Sequence, residues 1–278
     1  MTRIAMTSVL IGLAWQGTAH ACGAEEPACV VSLGQYRVAA PPAEPASALR
    51  PAVMFFHGAG GAGAEILGRR ELVDEFTAHG YVFIAPEGLV RTFPPTTGWY
   101  FRPNEAHARD ELSFIRQVLD DAVVRYRIDR RHVLLAGESV GGSMVWYLAC
   151  RAPTEFAAFA PVAGGFWSPQ PAACAGPTKL LHTHGWRDET VPLEGRSFRG
   201  GTAVQGDIFA GLQLWRRVDG CAAQAPSAVE IDARAWNRRW TGCVAGSWLE
   251  LVLHDGGHEV PDWWATRART WFEQVEPR

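Results

Sequence analysis

At 278 residues, 47% of them hydrophobic, the chain is long enough to bury a sizeable core and suits one α/β domain of ordinary size or two small ones. Its net charge of −3 and pI near 6.3 leave no basic footprint for nucleic acid. Lys179 is the single lysine among 26 basic residues, and no G-K-[ST] occurs, which excludes a P-loop.

Thr2-Arg3 and the apolar run IAMTSVLIGLAW lead to Ala19-His20-Ala21, an A-x-A cleavage site, so residues 1–21 read as a signal peptide. The run is short for a membrane span. The expectation is a secreted or periplasmic protein, free of the membrane once cleaved, with residues 22–278 as its one mature domain. All six cysteines lie beyond the cut, and an even count in an exported chain reads as disulfides. Their spacing suggests three local pairs, Cys22–Cys29, Cys150–Cys174 and Cys221–Cys243. Neither Cys nor His falls at zinc spacing, so no metal is expected.

Residues 22–46 read as an extended, disulfide-tied arm. From there short apolar runs alternate with helical patterns. The runs AVMFFH (52–57), YVFIAPE (81–87), HVLLAGE (132–138), FAAFAPVAG (156–164), KLLHTH (179–184) and WLELVLH (248–254) suit strands buried on both faces of a parallel sheet. Helices are predicted over about 66–79, 107–126, 142–151, 205–218 and 262–274. In the second of these, Leu112, Ile115, Leu119, Val123 and Tyr126 recur at 3-4 spacing as one apolar stripe. The alternation predicts an α/β fold, a doubly wound, mostly parallel sheet flanked by helices, with no large lid domain.

Three places along this pattern carry chemistry. After the first strand, His57-Gly58-Ala59-Gly60-Gly61-Ala62-Gly63 fits both a dinucleotide G-x-G-x-x-G frame and the loop with which an esterase aims an amide at an oxyanion. Gly137-Glu138-Ser139-Val140-Gly141 is G-x-S-x-G between a strand and a helix, the sharp turn that lifts a nucleophilic serine above a sheet edge. Serine needs a base, and the base needs an acid to orient it. Asp188 and His258 follow in that order, each in a turn just past an apolar strand, where ligands gather on α/β sheets. Asp255 shares the turn of His258 and is poorly placed to face it, and Glu189 points away from its neighbour Asp188. The remaining histidines fit structural roles; His57 and His184 each precede a glycine at a strand end, where an imidazole packs and bonds local backbone. A dinucleotide site lacks a ribose-binding acid, since Glu87 falls late and in a Pro-flanked turn. The glycine loop is therefore expected to serve an oxyanion, with backbone amides of Ala59 and Val140 as donors and Gly58 and Gly60 as rivals to Ala59. This chemistry needs no cofactor.

The stretches FFHGAGGAG, YVFIAPEGL, HVLLAGESVGGSM, FAAFAPVAGGFW, HGWRDETVP and DGGHEVP resemble secreted esterases of the polyhydroxybutyrate depolymerase and feruloyl esterase family. The resemblance runs from about Cys29 to the C-terminus and implies Ser139 as nucleophile, Asp188 as acid, His258 as base, and Ala59 and Val140 as oxyanion amides. It also supports the Cys150–Cys174 pairing. The implied partner is an ester, polymeric esters included: a 3-hydroxyalkanoate polyester or its oligomers first, feruloyl or other hydroxycinnamoyl esters second. A non-catalytic binding scaffold of the same fold is the remote alternative. Among 12 tryptophans, Trp99, Trp167, Trp186 and Trp263 neighbour the site in sequence and are candidates for a substrate platform.

Overall fold

A computed structural model of the protein describes residues 22, 27–41, 48–92, 95–102, 108–201 and 203–277; the expected signal peptide, residues 1–21, lies outside them. The arm predicted to be extended is an antiparallel hairpin of β1 (Cys29–Val31) and β2 (Gly34–Ala39). β3 (Arg50–Phe56) leads to α1 (Gly63–Gly68), α2 (Arg70–Ala78) and β4 (Val82–Pro86). A hairpin of β5 (Leu89–Thr92) and β6 (Pro95–Gly98) comes before α3 (Glu111–Tyr126), β7 (Ile128–Glu138), α4 (Val140–Arg151) and β8 (Ala158–Val162). Then come β9 (Trp167–Ser168), β10 (Lys179–Gly185), β11 (Ser197–Phe198), β12 (Ala203–Gln205) and α5 (Ile208–Val218). β13 (Ala228–Ile231), β14 (Ala235–Trp240), β15 (Trp248–His254) and α6 (Trp264–Val275) complete the chain.

One 10-stranded sheet runs β1-β2-β4-β3-β7-β8-β10-β15-β14-β13. From β4 to β15 neighbours are parallel, and the outer strands on both edges are antiparallel. The runs predicted as strands form the parallel centre because it is covered twice. Met54 and Phe56 pack with Leu112, Ile115, Leu119 and Trp215 from α3 and α5, whereas Val53 and Phe55 pack with Val73, Phe76, Trp264 and Phe272 from α2 and α6. Successive residues of a strand face opposite ways, so each central strand serves both cores. The described residues contain no helix long and apolar enough to cross a membrane.

Helix boundaries differ from expectation where a side chain intervenes. The 66–79 pattern splits at Arg69, which leaves helical geometry and pairs with Glu138 at 2.6 Å. The 205–218 pattern starts late, because residues 203–205 pair with β9 and β11 and the Asp207 carboxylate caps α5 by accepting the Ala210 amide at 3.0 Å. Disulfides join Cys22–Cys29, Cys150–Cys174 and Cys221–Cys243. The second fastens the end of α4, the helix that begins beside Ser139, to the segment before β10.

Candidate active site

Ser139 occupies the turn between β7 and α4 with φ 58° and ψ −122°, a conformation that non-glycine residues adopt at a cost of roughly 1–3 kcal/mol. The turn presses against β3: a Cβ on Gly141 would collide with the Phe56 carbonyl oxygen. Glycine at that position thus lets the elbow approach the sheet closely enough to raise the hydroxyl over the strand ends.

Parallel pairing of β10 with β15 brings the next two turns side by side. A Cβ on Gly185 would strike the Gly257 carbonyl, and the Trp186 and Arg187 amides donate to His254 O at 2.7 Å and Gly256 O at 3.0 Å. Held this way, His258 Nδ1 lies 2.8 Å from Asp188 Oδ2, and its Nε2 lies 2.9 Å from Ser139 Oγ. An ionised carboxylate only accepts, so Nδ1–H donates to Asp188 and Nε2 is left to accept the serine proton. Burial would raise the Asp188 pKa. Hydrogen bonds from His184, His258 and the Val191 amide outweigh that effect and hold it well below the usual carboxylate range. Its Oδ1 accepts the Thr190 and Val191 amides at 2.8 and 2.7 Å. Asp255, by contrast, is exposed and reaches Arg187 at 3.8 Å.

A buried chain of donors continues behind Asp188. The Trp146 indole can only donate, and its Nε1–H reaches His182 Nδ1 at 3.2 Å. His182 must then carry its proton on Nε2, which lies 3.1 Å from His184 Nδ1. His184 in turn carries a proton on Nε2, 2.7 Å from Val191 O and 3.4 Å from Asp188 Oδ2. Burial, then the neighbouring His184, lowers the His182 pKa well below the usual imidazole value, so it stays neutral. His184 does bond local backbone, as expected of it, and it also faces the carboxylate. The signal for this second contact is the His-Thr-His alternation, which puts both rings on one face of β10.

The glycine loop is braced from the opposite side. Gly88 N–H donates to His57 Nε2 at 3.0 Å, so His57 Nδ1 holds the proton and donates to Gly58 O at 2.7 Å. The β5–β6 hairpin adds Thr97 Oγ1 to Gly61 O at 2.6 Å and accepts Gly60 N–H on Thr97 O at 3.0 Å. That bond removes Gly60 from the rival donors. The amides of Ala59 and Val140 have no partner among the described residues and flank the Ser139 side of the cleft.

Of the four tryptophans offered as a platform, only Trp167 lines the cavity of about 270 Å³ that contains Ser139. Trp99 is fully buried: its indole donates to His57 O at 2.9 Å and its ring meets Phe56 edge-on, so it supports the loop and touches no substrate. Trp186, 57% exposed, leans on Trp236 in a separate hollow of about 450 Å³ that excludes the Ser139 side chain. Trp263 packs edge-on against His254, in a further hollow away from Ser139. Sequence neighbours of a turn residue point to different sides of the turn, which is why proximity in sequence misplaced these three. Phe101, Phe198, Arg196 and Gln205 line the Ser139 cavity without having been expected there; they come from loops and short strands with no periodic signal.

No family model matches the chain. It is 33% identical over 251 residues to the esterase NocK of Nocardia uniformis subsp. tsuyamanensis, an alignment covering 81% of this chain and 70% of that one. Feruloyl esterase C of Emericella nidulans is 25% identical over 181 residues, 64% of this chain; the chain spans only 57% of that relative's length. Among solved structures, acetyl xylan esterase from Aspergillus awamori superposes with a TM-score of 0.66 at 15% identity, covering 86% of this chain and 93% of that one, a likeness of fold. With a six-strand parallel core, a serine elbow and this degree of identity to NocK, the chain belongs to the feruloyl esterase-like family of α/β-hydrolases.

Proposed function

We propose that the protein is a serine hydrolase of carboxylic esters, acting through an acyl-enzyme. One observation carries this: His258 bonds Ser139 Oγ with one nitrogen and Asp188 with the other. In the proposed cycle Ser139 Oγ attacks the ester carbonyl carbon while His258 Nε2 takes its proton. The carbonyl oxygen becomes an anion that accepts hydrogen bonds from the Ala59 and Val140 amides, each such donor lowering the barrier by about 3 kcal/mol. Collapse breaks the bond to the alcohol oxygen, which leaves with the proton from His258. Water then attacks the acyl-serine and gives a proton to His258, and a second collapse frees the acid and returns that proton to Ser139. Asp188 remains ionised throughout, consistent with its lowered pKa.

Two substrate classes fall within this proposal. Hydroxycinnamoyl esters are favoured by relatives carrying the feruloyl esterase name and by the Trp167, Phe198 and Phe101 rings of the cavity. Esters of 3-hydroxyalkanoates, oligomeric or polymeric, are favoured by the sequence resemblance and by the charged wall of the same cavity. Export with removal of residues 1–21 belongs to the proposal as well, supported by the A-x-A site and three disulfides. The test is hydrolysis of a short p-nitrophenyl ester, hydroxybutyrate oligomers and methyl ferulate by the wild type and by Ser139→Ala. Cleavage by the wild type alone is expected, and the fastest substrate names the class. Equal inertness of both proteins on all three would favour the non-catalytic scaffold.

A further inference from the structure

The cleft is polarised about Ser139. On one side, the cavity of about 270 Å³ is lined by Arg91, Arg102 and Arg196, and no Asp or Glu is among its described lining residues. On the other side, a hollow of about 340 Å³ is lined by Glu138 and Glu259 together with His258. The Arg196 guanidinium on this concave side contributes a positive potential that the cleft focuses.

Each of these arginines lies on an aromatic ring. Arg91 sits 5.2 Å from the Tyr100 centroid, Arg102 4.9 Å from Trp167 and Arg196 4.1 Å from Phe198. Trp167 and Phe198 are themselves stacked, 5.9 Å apart at 29°. A guanidinium over a ring is attracted to the ring's face, a contact that uses none of its N–H donors. For Arg196 the ring therefore holds the charge in place while leaving its N–H donors to other groups. Arg196 has no carboxylate partner among the described residues. Gln205, on the same wall and only 7% exposed, has an amide oxygen with no partner. A half-turn of that amide presents N–H in place of oxygen, so it can serve either a hydroxyl or a carboxylate.

We infer that this wall binds a carboxylate, so the preferred substrate is an ester that ends in a free acid group, as a short hydroxyacid oligomer does, and Arg196 sets that preference. The inference rests on the esterase proposal and narrows it: neutral aromatic esters become secondary substrates, and an oligomer is cut from its acid end. A planar bidentate donor matches the two oxygens of a carboxylate, and the stacked rings offer apolar surface to the chain that carries it.

The experiment compares kcat/KM for the hydroxybutyrate dimer as free acid and as its methyl ester, with a short p-nitrophenyl ester alongside. The wild type is expected to prefer the acid by about tenfold or more, a preference that shrinks with rising salt. In Arg196→Gln the acid-to-methyl-ester ratio should fall toward one, and Arg196→Lys, which keeps the charge, should retain part of it. The ratio is internal to each protein, so it is insensitive to how much of a variant is folded. If the wild type cleaves the methyl ester as fast as the acid, or cleaves only the p-nitrophenyl ester, the carboxylate assignment is overturned and the esterase proposal stands. If the wild type cleaves none of the three, both are overturned.

Discussion

Ser139, Asp188 and His258 are 49 or more residues apart in sequence and meet because three strands of one sheet end together. That these three side chains would come together was legible in the sequence, since each sits in a short turn after an apolar run. The contacts behind them were not: nothing in a linear pattern says that Trp146, on α4, reaches His182 on β10. Asp188→Asn is expected to lower kcat by about 10⁴-fold with little change in KM, because the amide would favour the wrong imidazole tautomer of His258. Steady-state kinetics on a p-nitrophenyl ester checks this. Trp146→Phe removes the donor that fixes both buried histidines, freeing His184 to turn its proton away from Asp188. The expected result is a fall in kcat of about tenfold, equal to about 1.4 kcal/mol, at constant KM. A drop in melting temperature with unchanged kcat would show that Trp146 only fills space.

At the scale of elements, the long helices and central strands were predictable because one residue class repeats with their period. The α3 stripe lies as read, with Leu112, Ile115 and Leu119 buried and Asp110 capping the helix through Ser113 N at 2.7 Å. The β5–β6 and β13–β14 hairpins and the small β9–β12–β11 sheet went unseen. Their strands are short or half-exposed, so continuous burial, the signature sought, is missing. Yet one of these hairpins braces the glycine loop after β3. Another support is the buried pair Arg109–Glu111, in which Glu111 also accepts the Tyr100 amide at 2.9 Å and so fixes the segment leading to Phe101. Glu111→Ala would strand the Arg109 charge, whose side chain is 2% exposed, and is expected to cost about 3–5 kcal/mol in denaturant unfolding. A loss below about 1 kcal/mol would mean that water or a rotamer change relieves the arginine.

For the whole molecule, the parallel centre followed from alternation, whereas the antiparallel edges did not, because edge strands bury one face only. One buried group links distant parts. Asp219, at the end of α5, accepts the Thr178 amide at 2.9 Å just before β10, and its other oxygen has no partner among the described residues. Burial pushes its pKa up to about 7. Unfolded, the carboxyl ionises near its ordinary value of 3.8, so between about pH 4 and 7 the native state binds more protons than the unfolded one. Stability from this group is therefore present at acidic pH and falls as pH rises toward 7. Asp219→Asn should flatten that decline, raising the melting temperature by several degrees at pH 8 and little at pH 4. Equal slopes in wild type and variant would contradict it.

The measurement closest to the central claim is active-site labelling. Incubation with a fluorophosphonate, followed by peptide mass spectrometry, is expected to place one phosphonyl group on Ser139, with Ser139→Ala unlabelled and Asp188→Asn labelled far more slowly. A folded wild type that takes up no label, or takes it on another residue, would contradict Ser139 as the nucleophile and the acyl-enzyme with it.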